Sequence, residues 1–80
     1  MKVTQQFLIE ASRAVGAGDY FRWHTVGAAL GFSEAESERT MRVLSERKLV
    51  TLLLDGDARL LDAGRQLAVR LTSAVAVKRG

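Results

Sequence analysis

The stretch TVGAALGFSEAESERTMRVLSERKLV, from Thr25 to Val50, decides how this chain folds. Its first part places Val26, Ala29 and Leu30 at helical spacing, so these apolar side chains share one face of a short helix. Gly31 follows, and a glycine adopts the positive φ of a helix C-cap without steric cost. The pattern therefore predicts a short helix that stops at Gly31.

A second helix is predicted over residues 33–47. Ser33 and Glu36 stand in S-x-x-E spacing, the capping box. In this motif the serine hydroxyl accepts from the glutamate backbone N–H, and the carboxylate accepts from the serine backbone N–H. Met41 and Leu44 then continue an apolar face at helical spacing. Two helices joined by a short turn that contains glycine form a helix-turn-helix.

The residues before this motif predict a helix, a turn and an extended segment. Residues 3–15 carry apolar side chains on one face of an amphipathic helix, with Thr4 as its N-cap. Two glycines and an aspartate in residues 16–19 end that helix. Residues 20–24 are rich in aromatic side chains and alternate in polarity, which favours an extended segment. We expect its aromatic side chains in the core, between the first helix and the helix-turn-helix: Tyr20, Phe21 and Trp23.

A β-hairpin and a last helix are predicted after the motif. Apolar runs at residues 50–54 and 58–61 flank Asp55-Gly56-Asp57, and Asp-Gly between apolar runs is a strong hairpin signal. A helix over residues 63–77 follows. Its apolar stripe consists of Leu67, Leu71, Ala74 and Val75.

These elements define the expected fold class. It is mainly α with a small β-hairpin, an α+β fold with the order α-β-α-α-β-β-α. Because the chain contains no repeat, no linker and no proline, residues 1–80 are expected to form a single domain.

The composition narrows the classes of function. The chain of 80 residues contains no cysteine, so a disulfide framework, a thiolate metal site and a cysteine nucleophile are excluded. Twelve cationic side chains against nine anionic ones leave a net charge of +3, a mild excess that is compatible with nucleic acid. The sequence has neither a signal-like segment nor a run of apolar residues long enough to span a membrane. We therefore expect a soluble, cytoplasmic protein that makes no membrane contact.

No group of residues predicts catalysis. His24 has no second metal ligand at helical spacing, which is typical of a packed or surface histidine. Asp55 and Asp57 flank a glycine and are turn residues rather than a catalytic carboxylate pair. Neither a GK[ST] nor a G-x-G-x-x-G phosphate loop is present. We expect a protein that is not an enzyme and that uses no metal or cofactor.

Four segments carry a resemblance to a known family: LGFS at 30–33, Leu44, ERKLV at 46–50 and RLLDAGRQLA at 59–68. Over residues 20–71 the chain resembles the winged helix-turn-helix superfamily, and within it the small bacterial transcriptional regulators of the multiple-antibiotic-resistance (MarR-like) type. The sequence departs from the family pattern at three positions. Lys48 replaces a glycine, Leu61 replaces a threonine that caps the last helix, and Ser37 replaces an apolar residue.

The resemblance implies that the protein is a DNA-binding transcriptional regulator and that helix 33–47 enters the major groove of double-stranded DNA. Helical spacing directs one set of side chains of this helix to the core: Ser37, Thr40, Met41 and Leu44. The outward set is Ala35, Glu36, Glu38, Arg39 and Arg42.

Each outward or neighbouring polar residue then has an implied DNA contact. Arg39 and Arg42 are expected to reach guanine O6/N7 or phosphates, and a glutamate such as Glu36 or Glu38 can accept from cytosine N4. The hydroxyl-bearing residues near helix N-termini are expected to bind phosphate: Thr25 and Ser33. On the wing, Arg59 is expected to follow the backbone or the minor groove.

Two other readings remain open. Glutamates precede the first arginine of helix 33–47, and the acidic and basic residues of this helix stand at ion-pair spacing. The outward side of the helix could therefore be a solvated face, or a surface that docks on a protein. Such a winged-helix protein-interaction module would not bind DNA. In a third arrangement, nucleic acid would meet a basic surface elsewhere: Arg13, Arg22, Arg65 and Arg70.

The apolar residues of the terminal helices predict self-association of the protein. The last helix has apolar residues outside its main stripe, which usually indicates an interface: Val69, Ala76 and Val77. Members of the resembled family commonly dimerise through their terminal helices. We therefore expect a homodimer formed by residues 1–15 and 63–77, unless this apolar surplus only covers the small core of a monomer.

Overall fold

Helices and one small antiparallel sheet make up the fold. The computed structural model describes the backbone of residues 2–79 and the side chains of residues 2–74. The elements, in chain order, are α1 (Val3–Ala14), β1 (Tyr20–Arg22), α2 (Trp23–Ala29), α3 (Glu34–Glu46), β2 (Val50–Leu52), β3 (Asp57–Leu60) and α4 (Asp62–Arg79). The predicted α+β class, mainly helical with a small sheet, is confirmed.

The core lies between the helices and the inner face of the sheet. It consists of the apolar face of α1, Val26 of α2, one face of α3, alternate residues of the strands and, from the described part of α4, Ala68. The buried hydrophobic residues are Phe7, Leu8, Ala11, Phe21, Val26, Met41, Leu44, Val50, Ala58, Leu60 and Ala68. Ser37 and Thr40 are buried as well, so the set of α3 residues predicted to face the core is confirmed.

β3 is the central strand of the sheet. The strand order is β1-β3-β2, and both pairings are antiparallel. The connection between β2 and β3 turns at Asp55 and Gly56, whose φ angles of 61° and 79° are those of a two-residue hairpin turn. The predicted Asp-Gly hairpin is therefore confirmed, although its first strand ends at Leu52 instead of residue 54.

The extended segment predicted over residues 20–24 is only partly correct. β1 ends at Arg22, which pairs with the first residue of β3, Asp57, and α2 begins immediately afterwards at Trp23. Successive side chains of a strand point to opposite faces. Phe21 is therefore buried, whereas Tyr20 is 50% exposed and the expectation that it lies in the core is wrong.

The N-cap predicted for the first helix is also wrong. α1 begins two residues earlier than expected from a Thr4 cap, and its N-cap residue is Lys2 in an extended conformation. The backbone N–H of Lys2 donates to Oε1 of Gln5 at 3.3 Å. Gln5 therefore takes the place of the glutamate of a capping box, and Thr4 lies inside the first turn of the helix. The sequence pattern did not indicate this bond.

A pair of small residues lets α2 and α3 approach closely. Gly27 of α2 is buried, and a Cβ built on it would overlap the side chain of Ser37 in α3. This contact explains why a side chain as small as serine stands at position 37. A larger side chain at either position would push the two helices apart.

A second glycine lets α4 pack against the backbone. A Cβ on Gly64 would overlap the carbonyl oxygen of Leu49, which also accepts the backbone N–H of Leu61 at 3.0 Å. This carbonyl comes just before β2, so Gly64 joins the start of α4 to the edge of the sheet.

Gly64→Ala is expected to destabilise the protein. Overpacking costs about 1–3 kcal/mol, and alanine gains only about 1 kcal/mol over glycine inside a helix. We therefore expect a lower free energy of unfolding in urea. Gly16→Ala is the control, because no atom lies within 4 Å of its added Cβ and its φ is −103°. Equal stability of the two variants would contradict the packing of Gly64 on Leu49.

Candidate functional site

The start of α3 is held by reciprocal hydrogen bonds. The backbone N–H of Glu36 donates to Oγ of Ser33 at 3.2 Å, and the backbone N–H of Ser33 donates to Oε1 of Glu36 at 3.0 Å. This geometry is the predicted capping box, which is confirmed. It determines the residue at which α3 starts, and therefore which side chains of α3 face outward.

The turn before α3 is equally constrained. Gly31 has a φ of 76°, as predicted for the C-cap region of α2, and its backbone N–H donates to the carbonyl of Ala28 at 3.0 Å. The backbone N–H of Phe32 donates to the carbonyl of Gly27 at 2.9 Å, and the Phe32 ring stacks on Phe7 with centroids 6.1 Å apart. The turn thus fixes the orientation of α3 relative to α2.

The outward face of α3 is a solvent-exposed surface of mixed charge. Its five predicted residues are all exposed: Ala35, Glu36, Glu38, Arg39 and Arg42. Nη2 of Arg42 lies 3.4 Å from Oε1 of Glu38, so one of the ion pairs predicted at i,i+4 is present. Among the described side chains, Arg39 has no ion-pair partner.

Hydrogen bonding lowers the pKa of Glu36 below its ordinary value of 4.5. The main cause is the bond from the backbone N–H of Ser33, followed by the bond with the Ser33 side chain. Desolvation opposes this shift, and the positive charge of Arg39 adds to it. The carboxylate form of Glu36 is therefore part of the folded start of α3.

His24 links three elements at this end of the molecule. Its ring stacks on Trp23 with centroids 3.6 Å apart, and its Nε2 lies 3.7 Å from Oε1 of Glu34 at the start of α3. A Cβ on Gly56, in the hairpin turn, would lie 3.0 Å from its Nδ1. The sequence contains no signal for this contact, because the three segments are far apart along the chain.

Arg22 holds the acidic hairpin against β1. Its Nη1 lies 3.4 Å from Oδ1 of Asp57, and its Nη2 donates to the carbonyl of Asp55 at 3.2 Å. Arg22 faces Asp57 because the two residues are paired across the strands. Sequence reasoning did not identify this role, which depends on strand register, and assigned Arg22 only to an alternative basic surface.

The remaining predicted site residues lie on other elements. Thr25 is exposed in α2, at an open groove of about 230 Å³ that Arg22 and Glu10 also line. Arg59 is exposed on β3, whose neighbouring residues Ala58 and Leu60 are buried. Because side chains alternate along a strand, Arg59 points away from the core to which α3 contributes. The structure therefore groups Ser33, Glu36, Glu38, Arg39 and Arg42, but not Arg59, on the surface of α3.

The described part of the chain lacks two other kinds of site, a metal centre and a membrane-spanning helix. Residues 2–79 contain no group of three or more histidine, cysteine, aspartate or glutamate side chains arranged to hold a metal ion. No helix in this range combines the length and the apolar character needed to cross a membrane. Comparison of the chain with protein-family models, curated proteins and solved structures gives no match.

Acid is expected to weaken the contribution of Glu36 to stability. Because its folded-state pKa is lowered from 4.5, the carboxylate stabilises the fold above that pH, and this contribution is lost as the pH falls through the folded-state pKa. Glu36→Gln keeps a hydrogen-bond acceptor but removes the charge. We expect it to lower Tm at about pH 7 and to have a smaller effect at about pH 3.

Thermal unfolding followed by circular dichroism measures this difference. In a Ser33→Ala background, which lacks the serine side-chain bond, the pH-dependent difference in Tm that Glu36→Gln causes should become smaller. A difference of the same size at both pH values would contradict the assignment of the stabilisation to the Glu36 carboxylate.

Proposed function

We propose that this protein is a winged helix-turn-helix DNA-binding transcriptional regulator, in which α3 enters the major groove of double-stranded DNA. In this proposal α2, the turn at Gly31 and α3 are the helix-turn-helix, and the β2–β3 hairpin is the wing. The α+β element order and the close α2–α3 contact support the fold assignment. The mechanism is binding alone, without catalysis, metal or cofactor.

The observation that carries the proposal is the exposed face of α3 with Arg39 and Arg42 on it. The major groove of DNA is wide enough to admit an α-helix, and arginine is the side chain that most often reads guanine. The capping box at Ser33 and Glu36 fixes the direction of these arginines before DNA arrives. Less conformational freedom is then lost on binding.

The ion pair between Arg42 and Glu38 does not prevent groove binding. Both side chains are largely exposed, and an exposed ion pair is worth about 0–1 kcal/mol. A bidentate contact from an arginine to guanine is worth roughly 1–3 kcal/mol of discrimination. Arg42 therefore gains when it leaves Glu38 and contacts a guanine instead. The released carboxylate of Glu38 can then accept a hydrogen bond from cytosine N4.

Much of the neighbouring negative charge already has a partner. One carboxylate oxygen of Glu36 is bonded to the start of α3, and Arg22 lies beside Asp57. These contacts reduce the repulsion that DNA phosphates would meet at this end of the molecule.

Arg39→Ala combined with Arg42→Ala is expected to lower the affinity for a DNA sequence selected from a random library. Each lost base contact removes roughly 1–3 kcal/mol, so binding should weaken by at least about tenfold. Fluorescence anisotropy with labelled duplexes measures this change, after a salt series on random duplex has established binding by the unaltered protein.

Arg13→Ala combined with Arg70→Ala is the matched control, since it removes the same charge from α1 and α4. We expect it to retain the preference for the selected sequence. Unchanged affinity of the Arg39/Arg42 variant would rule out groove reading by α3. Loss of binding in the control alone would instead favour the arrangement that includes Arg13, Arg22, Arg65 and Arg70.

The second candidate function is protein interaction without DNA binding. It is favoured by the glutamates at the start of α3 and by the exposed Asp55 at the hairpin tip. In this reading the acidic surface docks on a basic protein surface. Absence of binding to duplex DNA even at low salt would favour this candidate over the first.

We also propose that the protein forms a homodimer through residues 1–15 and 63–77. The inner faces of α1 and α4 are used within the chain, where Phe7, Leu8 and Ala68 are buried. Val69 remains 61% exposed on α4, beside a groove of about 280 Å³ that Ser12 of α1 also lines. The other apolar side chains on which the prediction was based, Ala76 and Val77, lie outside the described side chains, as does Val75 of the main stripe.

Val69→Glu is expected to convert the dimer to a monomer, because it would bury a charge in the interface. Sedimentation velocity at micromolar concentration measures the change. Leu54→Glu is the control, since Leu54 is 85% exposed in the hairpin, outside the proposed interface. A monomer in the unaltered protein would contradict the homodimer.

A further inference from the structure

The basic side chains divide into two groups according to their ion pairs. The paired group is spread over several elements and consists of Arg13, Arg22, Arg42 and Arg65. Among the side chains that the structure describes, the others have no ion-pair partner: Lys2, Arg39, Arg47, Lys48, Arg59 and Arg70. Positive charge that forms no ion pair within the protein is available to a polyanion.

Three of these unpaired cations lie where the start of α1 meets the end of α3. Lys2 and Arg47 both line a small depression of about 60 Å³, and Lys48 follows Arg47 in the chain. We call Lys2, Arg47 and Lys48 the basic patch. Thr4 lines this depression and also a wider groove that Arg39 borders, so the patch adjoins the exposed face of α3.

Lys48 has a backbone conformation that favours glycine. Its φ is 59°, and the hydrogen bonds around it close α3: its backbone N–H donates to the carbonyl of Ser45, and that of Leu49 to the carbonyl of Leu44, both at 3.0 Å. Glycine is the usual residue at this position of the motif. Lys48 keeps this unfavourable conformation although its side chain has no ion-pair partner among the described residues. We infer that the side chain binds something other than the chain itself.

The charge of α3 is therefore uneven along its length. Its first turn carries Glu34 and Glu36, whereas Arg47 and Lys48 directly follow its last residue, Glu46. The dipole of a helix favours cations at its C-terminus. This effect accounts for the charges of Arg47 and Lys48 without any partner outside the protein. The dipole does not account for Lys2, because Lys2 precedes α1 and would be disfavoured by the positive end of that helix.

We propose that the basic patch binds the phosphate backbone of duplex DNA beside the major groove that α3 occupies. This inference rests on the proposed function and adds a second contact to it. α3 would then lie in the groove with its C-terminal half nearest the backbone, while its acidic start is kept away from the phosphates. Contacts to phosphates position a protein on DNA but carry no sequence information themselves.

The test compares two variants that each remove two positive charges: Arg47→Gln with Lys48→Gln, and, as a control outside the proposed homodimer interface, Lys78→Gln with Arg79→Gln. Binding to a random and to a selected duplex is followed by fluorescence anisotropy across a salt series. Each neutralised phosphate contributes about −0.9 to the slope of log K against log salt. We expect the patch variant to lose roughly 1–2 units of slope and the control to lose none.

The affinity of the patch variant should fall by the same factor on both duplexes, at least about tenfold at low salt. Lys48→Gly adds a variant whose fold is not at risk, since glycine suits the left-handed conformation. We expect an equal or higher Tm together with weaker DNA binding. Unchanged DNA binding by Lys48→Gly would count against the patch.

Failure of this inference and failure of the proposed function give different results. An unchanged salt slope in the patch variant, with discrimination still lost in the Arg39/Arg42 variant, overturns the patch alone. A reduced slope in the patch variant, with discrimination intact in the Arg39/Arg42 variant, supports the patch and overturns groove reading. Absence of DNA binding by the unaltered protein overturns both.

Discussion

The close contact between Gly27 and Ser37 is the constraint on which the arrangement of the helices depends. A side chain one methyl group larger at position 27 would overlap Ser37, so α2 and α3 can cross at this distance only with small residues at both positions. Gly31 and the capping box at Ser33 complete the constraint, because they fix where one helix ends and the next begins. The exposed face of α3 is a consequence of all three.

Electrostatics then decides what that face can bind. Within α3, four glutamates stand against two arginines, and the Arg42–Glu38 ion pair is exposed and individually weak. Such pairs can be exchanged for contacts with a partner at little cost in stability. Binding to DNA would therefore depend less on the net charge of +3 than on which cations lack an internal partner. The unpaired side chains at the junction of α1 and α3 are the relevant ones in this respect.

The local signals in the sequence predicted most of the secondary structure. Helical periodicity, the S-x-x-E spacing, Gly31 and the Asp-Gly turn each act over a few residues, so the chain needs no tertiary contact to show them. The same periodicity correctly divided α3 into a core face and an exposed face. Local signals were insufficient at residues 20–24, because the end of β1 depends on where β3 begins and not on neighbouring residues.

By itself, therefore, the sequence determined the helices, the turns between them and which side of α3 meets solvent, since these follow from short-range backbone and side-chain preferences. Only the tertiary structure decided which charges meet. Strand register brings Arg22 to Asp57, and the packing of α1 on α3 brings Lys2 and Arg47 to the same depression. These residues are far apart along the chain, and no local pattern encodes a contact that forms only when distant elements pack together.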